Sequence, residues 1–374
     1  MFDWGNLPGK GRVYGRDGDL DPFVAFAGGR EALAEAIRSV REEGVPVGLY
    51  IEGYLLEEQG QLGSLVGSRW QLIDSEGERR YWPGSSEMFI CPALPRWEAI
   101  QASTFARTAR RLAADGMYID QFGFAGADKD CHAPDHGHEV PSYAVTAERR
   151  VTRAVRNAMV EAGSSAVLYS EETPVDVVTQ YQDGSFTYAM HAAQRTSTMV
   201  PLNIARFAFP DFKTIEILFC DQPTGSWATG VRWVFFNGEG LWLQGPAQQW
   251  FEPETLAEIR RCYAILAAHR DAFTTLEPDP LVETEMSGVF ANRFPTEGKT
   301  VYTLLNTRHR TVRGPILRRP HDPAAAYYDA WHDRPAQVVR RGGWDVISTE
   351  LGPHGAGCIV VERVAPPAPV GHGN

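Results

Sequence analysis

Hydrophobic and polar positions follow a helical period over several stretches of the first three quarters of the chain. Apolar residues recur every three to four positions, which predicts amphipathic helices at 29–44, 95–116 and 145–163. Each of these stretches leads into a short apolar run typical of a buried strand, at 46–52, 116–120 and 166–171. Helices that alternate with strands in this way predict a parallel α/β fold.

More segments continue this alternation. Further strand-like runs lie at 185–190, 214–220 and 239–244, one more ends at Asp3-Trp4, and a long amphipathic helix begins at Pro253. Together they predict a (β/α)8-type (TIM) barrel over residues 1–275. The candidate strands number seven, whereas a full barrel has eight. We therefore expect a barrel that lacks its first strand, either because the chain is a fragment truncated at its N-terminus or because its start is wrongly assigned.

From residue 288 the pattern changes to strand-like runs about ten residues apart, separated by turn residues. This pattern predicts an all-β sandwich over 288–364. The segment 276–287 is rich in acids and is expected to be the linker, and the tail 365–374 is expected to be disordered.

Charge and composition narrow the classes of partner. The chain has 36 Lys and Arg against 47 Asp and Glu, a net charge of −11, which argues against nucleic acid and anionic membranes. No apolar run approaches the roughly 18 residues of a membrane span, and the first residues do not resemble a signal peptide. The five cysteines are far apart, which favours a reducing compartment and predicts a cytoplasmic protein.

A short motif, a tyrosine followed two residues later by an acid, ends three of the predicted strands. The motif consists of Tyr50 with Glu52, Tyr118 with Asp120, and Tyr169 with Glu171. Strand side chains alternate between faces, so tyrosine and acid point the same way, and the acid comes last, at the carboxyl rim. Parallel barrels carry out their chemistry at this rim, which makes these six residues candidates for catalysis or substrate binding.

Asp120 and Glu171 form the most informative pair. One helix separates their strands, so the strands are expected to be neighbours in a right-handed βαβ unit. Neighbouring strands lie about 4.8 Å apart, which approaches the roughly 5–5.5 Å between the carboxyl groups of a retaining glycosidase. Asp120 is then the nucleophile and Glu171 the acid/base, its proton favoured by burial and by the nearby anion. Glu172 is the rival acid/base, because a bulge would exchange the two.

Other residues are weaker candidates for substrate contact. Asp221 could stabilise the transition state, bind a hydroxyl or cap a loop, and Asp183 before Gly184 is better explained as a turn residue. Glu52 could bind a sugar hydroxyl or orient a neighbour. Trp4 offers an aromatic face suited to a sugar ring, although core packing explains such a residue equally well.

The loop after Asp120 concentrates metal-ligating residue types, among them Cys131, His136 and His138. The loop could bind zinc, contact substrate, or be a rigid hydrogen-bonded segment. We find no second set of ligands at metal spacing elsewhere in the sequence. We therefore predict no metal and no cofactor, and assign His136 and His138 to substrate contact.

Four segments around these residues also resemble a known group of proteins. They are YIDQFGF at 118–124, CHAPDHGHEVP at 131–141, LYSEETPVD at 168–176 and YQDGSFTY at 181–188. They resemble an uncharacterised family of glycoside-hydrolase-like TIM barrels, distantly similar to the α-galactosidase and α-amylase superfamilies. The C-terminal segments 289–317, 327–335 and 351–361 resemble the all-β domain that follows such barrels.

The resemblance implies a retaining glycosidase, with Asp120 at the nucleophile position and Glu171 or Glu172 as the acid. It implies an α-linked or similar glycoside as substrate, without indicating the sugar. Two other classes remain open. One is a metal-dependent TIM-barrel hydrolase that uses His136 and His138, and the other is a carbohydrate-binding protein without catalytic activity.

Overall fold

The computed structural model describes residues 28–60, 62–123, 126–171, 176–187, 202–217, 227–242 and 252–364. The chain divides into two compact units, Met1–Thr187 and Tyr188–Asn374. Four predicted features lie outside the described residues: the strand ending at Trp4, Glu172, Asp221 and the tail 365–374. Those features, the closure of the barrel and the boundary at 275 stay predictions.

The first unit alternates helices and strands. Its strands are β1 (Gly48–Glu52), β2 (Leu55–Glu57), β3 (Glu87–Phe89), β4 (Gly116–Asp120), β5 (Val167–Glu171) and β6 (Gly184–Thr187). Its α-helices are α1 (Arg30–Glu42), α2 (Ser68–Trp70), α3 (Pro95–Leu112), α4 (Ala144–Glu161) and α5 (Asp176–Thr179). A π-helical turn covers Gly63–Gly67 and a 3₁₀ turn covers Ala127–Lys129.

Four of these strands form a parallel sheet in the order β1-β4-β5-β6. Helices α3 and α4 connect consecutive strands and pack on each other, so the predicted βαβ alternation is confirmed. The helix faces that carry the periodic apolar residues are largely the faces that pack against the core. In α1, Leu33 and Ile37 are buried, although Val40, which follows at the same helical spacing, is 42% exposed.

The second unit begins with further α/β elements. They are α6 (Ile204–Ala208), β7 (Lys213–Ile217), α7 (Trp227–Asn237), β8 (Gly240–Trp242), α8 (Pro253–Ala268) and α9 (Arg270–Phe273). Strands β7 and β8 pair in parallel. The long helix predicted from Pro253 is therefore two helices, which meet at His269.

Antiparallel strands complete the second unit. They are β9 (Asp279–Val282), β10 (Val289–Thr296), β11 (Lys299–Asn306), β12 (Val312–Pro320), β13 (Ala325–Asp329), β14 (Arg334–Pro335), β15 (Gln337–Arg341), β16 (Trp344–Leu351) and β17 (Ala356–Arg363). They form two sheets, in the orders β14-β13-β17-β11-β10-β9 and β12-β16-β15. The predicted β pattern is confirmed, and the predicted linker itself contains β9, which pairs with β10.

Alternate residues of strand β17 pack into two different hydrophobic cores, one on each face of the larger sheet. Ile359 and Val361 face the second sheet and pack in the sandwich core with residues of β12 and β16. Cys358 and Val360 face the other way and pack against residues of helices α7 and α8. The larger sheet is therefore covered on both faces, which explains why its central strand is almost entirely apolar.

Among the described residues, no helix combines the length and the apolar character that crossing a lipid bilayer requires.

Candidate active site

The three tyrosine-acid motifs lie side by side at the carboxyl ends of the parallel strands. Tyr50 of β1 pairs with Tyr118 of β4, and Glu52 pairs with Asp120 in the same register. Tyr118 pairs in turn with Tyr169 of β5. The register predicted from the period of two is therefore confirmed, and it brings acids of adjacent strands to the same edge of the sheet.

Asp120 is the centre of this arrangement. The hydroxyl of Tyr50 donates to its Oδ2, and the hydroxyl of Tyr118 donates to its Oδ1 over 2.8 Å. A side-chain hydrogen bond joins Asp120 to Glu171. Burial and the charge of Glu171 raise the pKa of Asp120 to about 7, although the two tyrosine hydroxyls act in the opposite direction.

The turn after β4 holds Glu171 against Asp120. Gln121 has a left-handed backbone, with φ at 59°, and its N–H donates to Oε2 of Glu171 over 3.1 Å. A hydrogen bond between two carboxyl groups requires a proton on one of them. The pKa raised in the structure is that of Asp120, whereas the sequence had placed the retained proton on Glu171.

Glu52 is 1% exposed and has a supporting position beneath the pair. Its Oε1 accepts from the N–H groups of Gly53 and Tyr54 over 3.0 and 3.1 Å. Its Oε2 lies 3.0 Å from the Tyr50 hydroxyl, so Glu52 and Asp120 both face the single proton of that hydroxyl. Glu52 thus caps the turn after β1 and fixes the ring that donates to Asp120. Of the two roles open to it from sequence, these contacts match the orienting one.

Gly53 allows the turn after β1 to approach the end of β4 closely. Its N–H donates to the carbonyl oxygen of Asp120 over 3.1 Å. A Cβ at this position would overlap the ring of Phe122 and would lie 2.7 Å from that same carbonyl oxygen. A larger residue at 53 would therefore displace the backbone that carries Asp120.

Tyr169 differs from the other two tyrosines of the motif. Its ring stacks on Tyr118 with 5.6 Å between centroids, and its hydroxyl lies against Gly48, where a Cβ would overlap it. Burial raises the pKa of Tyr169 to about 12. Tyr169 therefore supports Tyr118 by packing, whereas Tyr50 and Tyr118 contact the acid directly.

Lys129 belongs to the site and was missed by sequence reasoning. It is 6% exposed, its Nζ donates to the carbonyl oxygen of Gln121 over 2.8 Å and lies 4.6 Å from the Tyr54 ring centroid. Burial lowers its pKa, against the opposing charges of several acids, among them Glu148 and Glu171. Composition could have singled out Lys129, because lysine is rare in this chain: only four of the 36 basic residues are lysines.

Glu148 is the second residue that was missed. It is fully buried on α4, where Oε1 accepts from the Tyr54 hydroxyl over 2.8 Å and Oε2 accepts from the N–H of Gly123 over 3.1 Å. These contacts tie the loops after β1 and β4 to the helix. The sequence did contain a signal for Glu148. It lies three residues before Val151, so it falls on the apolar face of the helix, where an acid is unusual.

Asp183 lies at the other edge of the sheet. It precedes β6, forms an ion pair with Arg156, and accepts from the N–H of Leu168 over 2.7 Å. Leu168 lies near the amino end of β5, whereas Glu171 is at its carboxyl end. The structure therefore does not bring Asp183 to the carboxylate pair, and its contacts are those of the turn residue considered from sequence.

His136 and His138 are gathered together with Cys131, as the sequence implied, and with Cys91, which the sequence did not suggest. The potential ligand atoms of these four residues all lie within 4.8 Å of one another. Their side chains contact one another and nearby backbone carbonyls.

Solved structures of α-amylase-type glycoside hydrolases share this fold of a parallel α/β sheet followed by antiparallel sheets. An α-amylase from Geobacillus thermoleovorans complexed with acarbose matches with a TM-score of 0.66 and 11% identity over 97% of this chain and 87% of that chain. A debranching enzyme from Nostoc punctiforme gives 0.63 and 11% identity over 95% and 83%. A maltogenic α-amylase from Thermotoga neapolitana gives 0.62 and 12% identity over 90% and 82%.

At these identities the likeness shows the fold alone. A family model described as a domain of unknown function (DUF6259) matches residues 21–208. The chain belongs to that family, which confirms the expected membership of an uncharacterised group distantly similar to the α-amylases. A search of curated proteins returns no match.

Proposed function

We propose that the protein is a retaining glycoside hydrolase whose reaction is carried by Asp120 and Glu171. The observation that carries the proposal is the direct hydrogen bond between these two carboxyl groups at the ends of adjacent parallel strands. An inverting enzyme needs roughly 6.5–9.5 Å between its carboxyl groups to admit a water molecule. A pair close enough for a hydrogen bond lies nearer to the roughly 5–5.5 Å of a retaining enzyme, which favours the retaining mechanism.

The hydrogen bonds around the pair support a division of roles. Two tyrosine hydroxyls donate to Asp120, which favours its ionised form and therefore the nucleophile. Glu171 then holds the proton of the carboxyl pair as the acid. Glu172, outside the described residues, remains the rival acid/base within this proposal.

The reaction proceeds in two steps. In the first, a carboxylate oxygen of Asp120 bonds to the anomeric carbon, the glycosidic bond breaks, and Glu171 gives its proton to the leaving oxygen. In the second, Glu171 takes a proton from water, the water oxygen bonds to the anomeric carbon, and the Asp120 ester bond breaks. The sugar leaves with its original configuration, and both carboxyl groups return to their starting states.

For the substrate we propose an α-linked glycoside. Support comes from the named activities of the structural neighbours, which are α-amylases and a debranching enzyme, one of them complexed with acarbose. Substrate contacts are proposed for Tyr50 and Tyr118, and for Trp4 and Asp221 outside the described residues. The contacts of Tyr169, Glu52 and Asp183 instead support packing, orienting and turn roles for these three residues. The frame that carries them is proposed to be the barrel of residues 1–275 with the β domain of 288–364.

A panel of substrates tests the proposal. Aryl α-glucosides, aryl α-galactosides and malto-oligosaccharides are incubated with wild type and with Asp120→Asn, and product configuration is followed by NMR. We expect turnover of at least one α-glycoside with retained configuration, and none by the variant. Binding without turnover by the wild type would identify a carbohydrate-binding protein instead, and inverted product would refute the retaining mechanism.

A further inference from the structure

Two cysteines and two histidines from separate parts of the first unit meet in what we term the Cys-His cluster. Its members are Cys91, Cys131, His136 and His138. Both cysteines are buried. Cys91 lies 40 or more positions before the other three in sequence, so only the fold brings the set together.

The spacing within the cluster matches that of tetrahedral metal ligands. Sγ of Cys91 lies 3.3 Å from Nε2 of His138, and Sγ of Cys131 lies 3.5 Å from Nδ1 of His136. A tetrahedral zinc ion, at about 2.0 Å from nitrogen and 2.3 Å from sulfur, sets its ligand atoms roughly 3.3–3.8 Å apart. The two measured pairs fall within that range.

The remaining ring nitrogens are held in the way that metal-binding histidines require. Nε2 of His136 contacts the carbonyl oxygen of Arg69 at 3.0 Å, and Nδ1 of His138 contacts the carbonyl oxygen of Glu139 at 2.8 Å. A carbonyl only accepts, so these nitrogens carry the protons. The nitrogens that face the thiols therefore present lone pairs, and outer hydrogen bonds of this kind fix the tautomer and orientation of a ligating ring.

The backbone around the cluster is also fixed. The N–H of Cys91 donates to the carbonyl oxygen of Trp70 over 2.9 Å. Cys131 and Ser142 exchange two backbone hydrogen bonds of 2.9 Å, and the N–H of His132 donates to Ile73 over 2.8 Å. The segment after β3 and the loop after β4 are thus both held by backbone hydrogen bonds to residues 70–73.

We propose that the Cys-His cluster binds one Zn²⁺ ion in a structural site. Two thiolates and two imidazoles are the ligand set that zinc prefers, whereas calcium and magnesium take oxygen ligands. Four protein ligands complete the tetrahedron and leave no position for a reacting water, which distinguishes this site from a hydrolytic zinc centre. The assignment departs from the substrate contact predicted for the two histidines and from the prediction of no metal.

The metal would fix the loop that serves the carboxylate pair. Lys129 lies two residues before Cys131 and donates to the carbonyl oxygen of Gln121, whose N–H donates to Glu171. A zinc ion on Cys131 anchors the far end of this short segment. Loss of the metal should therefore loosen the loop after β4 before it affects the strands themselves.

Metal analysis of the purified full-length chain tests the proposal without using catalytic activity. Protein expressed with zinc supplementation should contain about one Zn²⁺ per chain by mass spectrometry. Cys91→Ala and Cys131→Ala should lower that content at least about tenfold. The buried-cysteine control Cys358→Ala and the same-loop control His132→Ala should retain it. Replacement by Co²⁺ should produce the visible absorption of tetrahedral thiolate coordination.

Three results would overturn the proposal. The first is purified wild type without zinc that also shows no thiolate-to-cobalt absorption. The second is a Cys91–Cys131 disulfide in protein handled anaerobically, and the third is zinc content that the cysteine variants share with wild type. If the alanine variants are insoluble, His138→Cys decides: cysteine replaces one ligand by another, so the chain should keep its zinc, and loss of zinc from soluble His138→Cys would contradict the site.

Discussion

Asp120 and Glu239 have the same raised pKa, about 7, in different surroundings. Burial is the main cause for both. Asp120 ends β4 at the carboxyl edge of its sheet, and its second cause is the charge of another acid, Glu171. Glu239 precedes β8, at the amino end of that strand, and its neighbours Thr214, Arg206 and Asn203 all act to lower its pKa.

The two carboxyl groups differ in their partners, which are another acid for Asp120 and groups that lower the pKa for Glu239. Asn203 donates to Oε1 of Glu239 over 2.5 Å, and Thr214 donates to the same oxygen. Arg206, itself buried, donates to the carbonyl oxygen of Phe273 over 2.7 Å and so joins α6 to α9. Glu239 therefore organises packing, whereas the contact between Asp120 and Glu171 raises the pKa of Asp120 and costs stability, a cost that the proposed function explains. A perturbed pKa indicates a functional site only when its partners are considered.

The largest effect should come from exchanging each carboxyl group for its amide. Asp120→Asn cannot form a glycosyl-enzyme and should lower kcat/KM at least about 10³-fold. Glu239→Gln keeps a similar shape and acceptor, and should stay within about threefold of wild type. Steady-state kinetics with the best substrate of the panel measures both. Equal losses of kcat/KM in the two variants would contradict the distinction between the roles of Asp120 and Glu239.

Removal of the acid/base should have an effect that depends on the substrate. Glu171→Ala should lose about 10²–10⁴-fold with natural glycosides but less with activated aryl glycosides, whose leaving groups need no proton. Azide, a nucleophile that needs no base, should then restore turnover and give a glycosyl azide of retained configuration. Glu172→Ala is the matched control. Rescue of Glu172→Ala, with Glu171→Ala near wild type, would transfer the role to Glu172.

Loss of one hydroxyl at Asp120 should shift the pH profile. Tyr118 lowers the pKa of Asp120 through its hydrogen bond, so Tyr118→Phe should move the acidic limb of kcat/KM upward by about one pH unit from its position near 7. Tyr169→Phe removes a hydroxyl that lies against Gly48, and should leave the limb unchanged. A shift in both variants would point to a general effect on packing.

The smallest effect concerns stability. The pKa of each acid is raised in the folded state, so the folded chain binds more protons than the unfolded one between about pH 4 and pH 7, and stability falls as pH rises through 7. Asp120→Asn removes the stability loss that ionisation of Asp120 causes. The variant should therefore have a Tm roughly 2–4 °C higher than wild type at pH 8, with no gain at pH 4. Glu239→Gln should gain less at pH 8, because ionised Glu239 has Arg206 beside it. A gain for Asp120→Asn that does not depend on pH would contradict the electrostatic cause.

The sequence by itself determined the features that depend on backbone period. The alternation of strand faces placed tyrosine and acid together, and the right-handed βαβ rule made β4 and β5 neighbours, which together brought Asp120 beside Glu171. The same period predicted the strands from residue 289 on, whose two faces fill two different cores. These features need only local geometry and a general rule of chain connection.

Only the tertiary structure decided which side chains from distant segments meet. Cys91 joins the loop histidines because the segment after β3 and the loop after β4 both form backbone hydrogen bonds with residues 70–73, an arrangement that no periodicity encodes. Lys129 and Glu148 reach the site in the same way, from a loop and from a helix. The pKa of Asp120 depends on burial and on Glu171, which is 51 positions away in sequence. The physical reason is that charge and desolvation act through space, whereas a sequence pattern reports only neighbours along the chain.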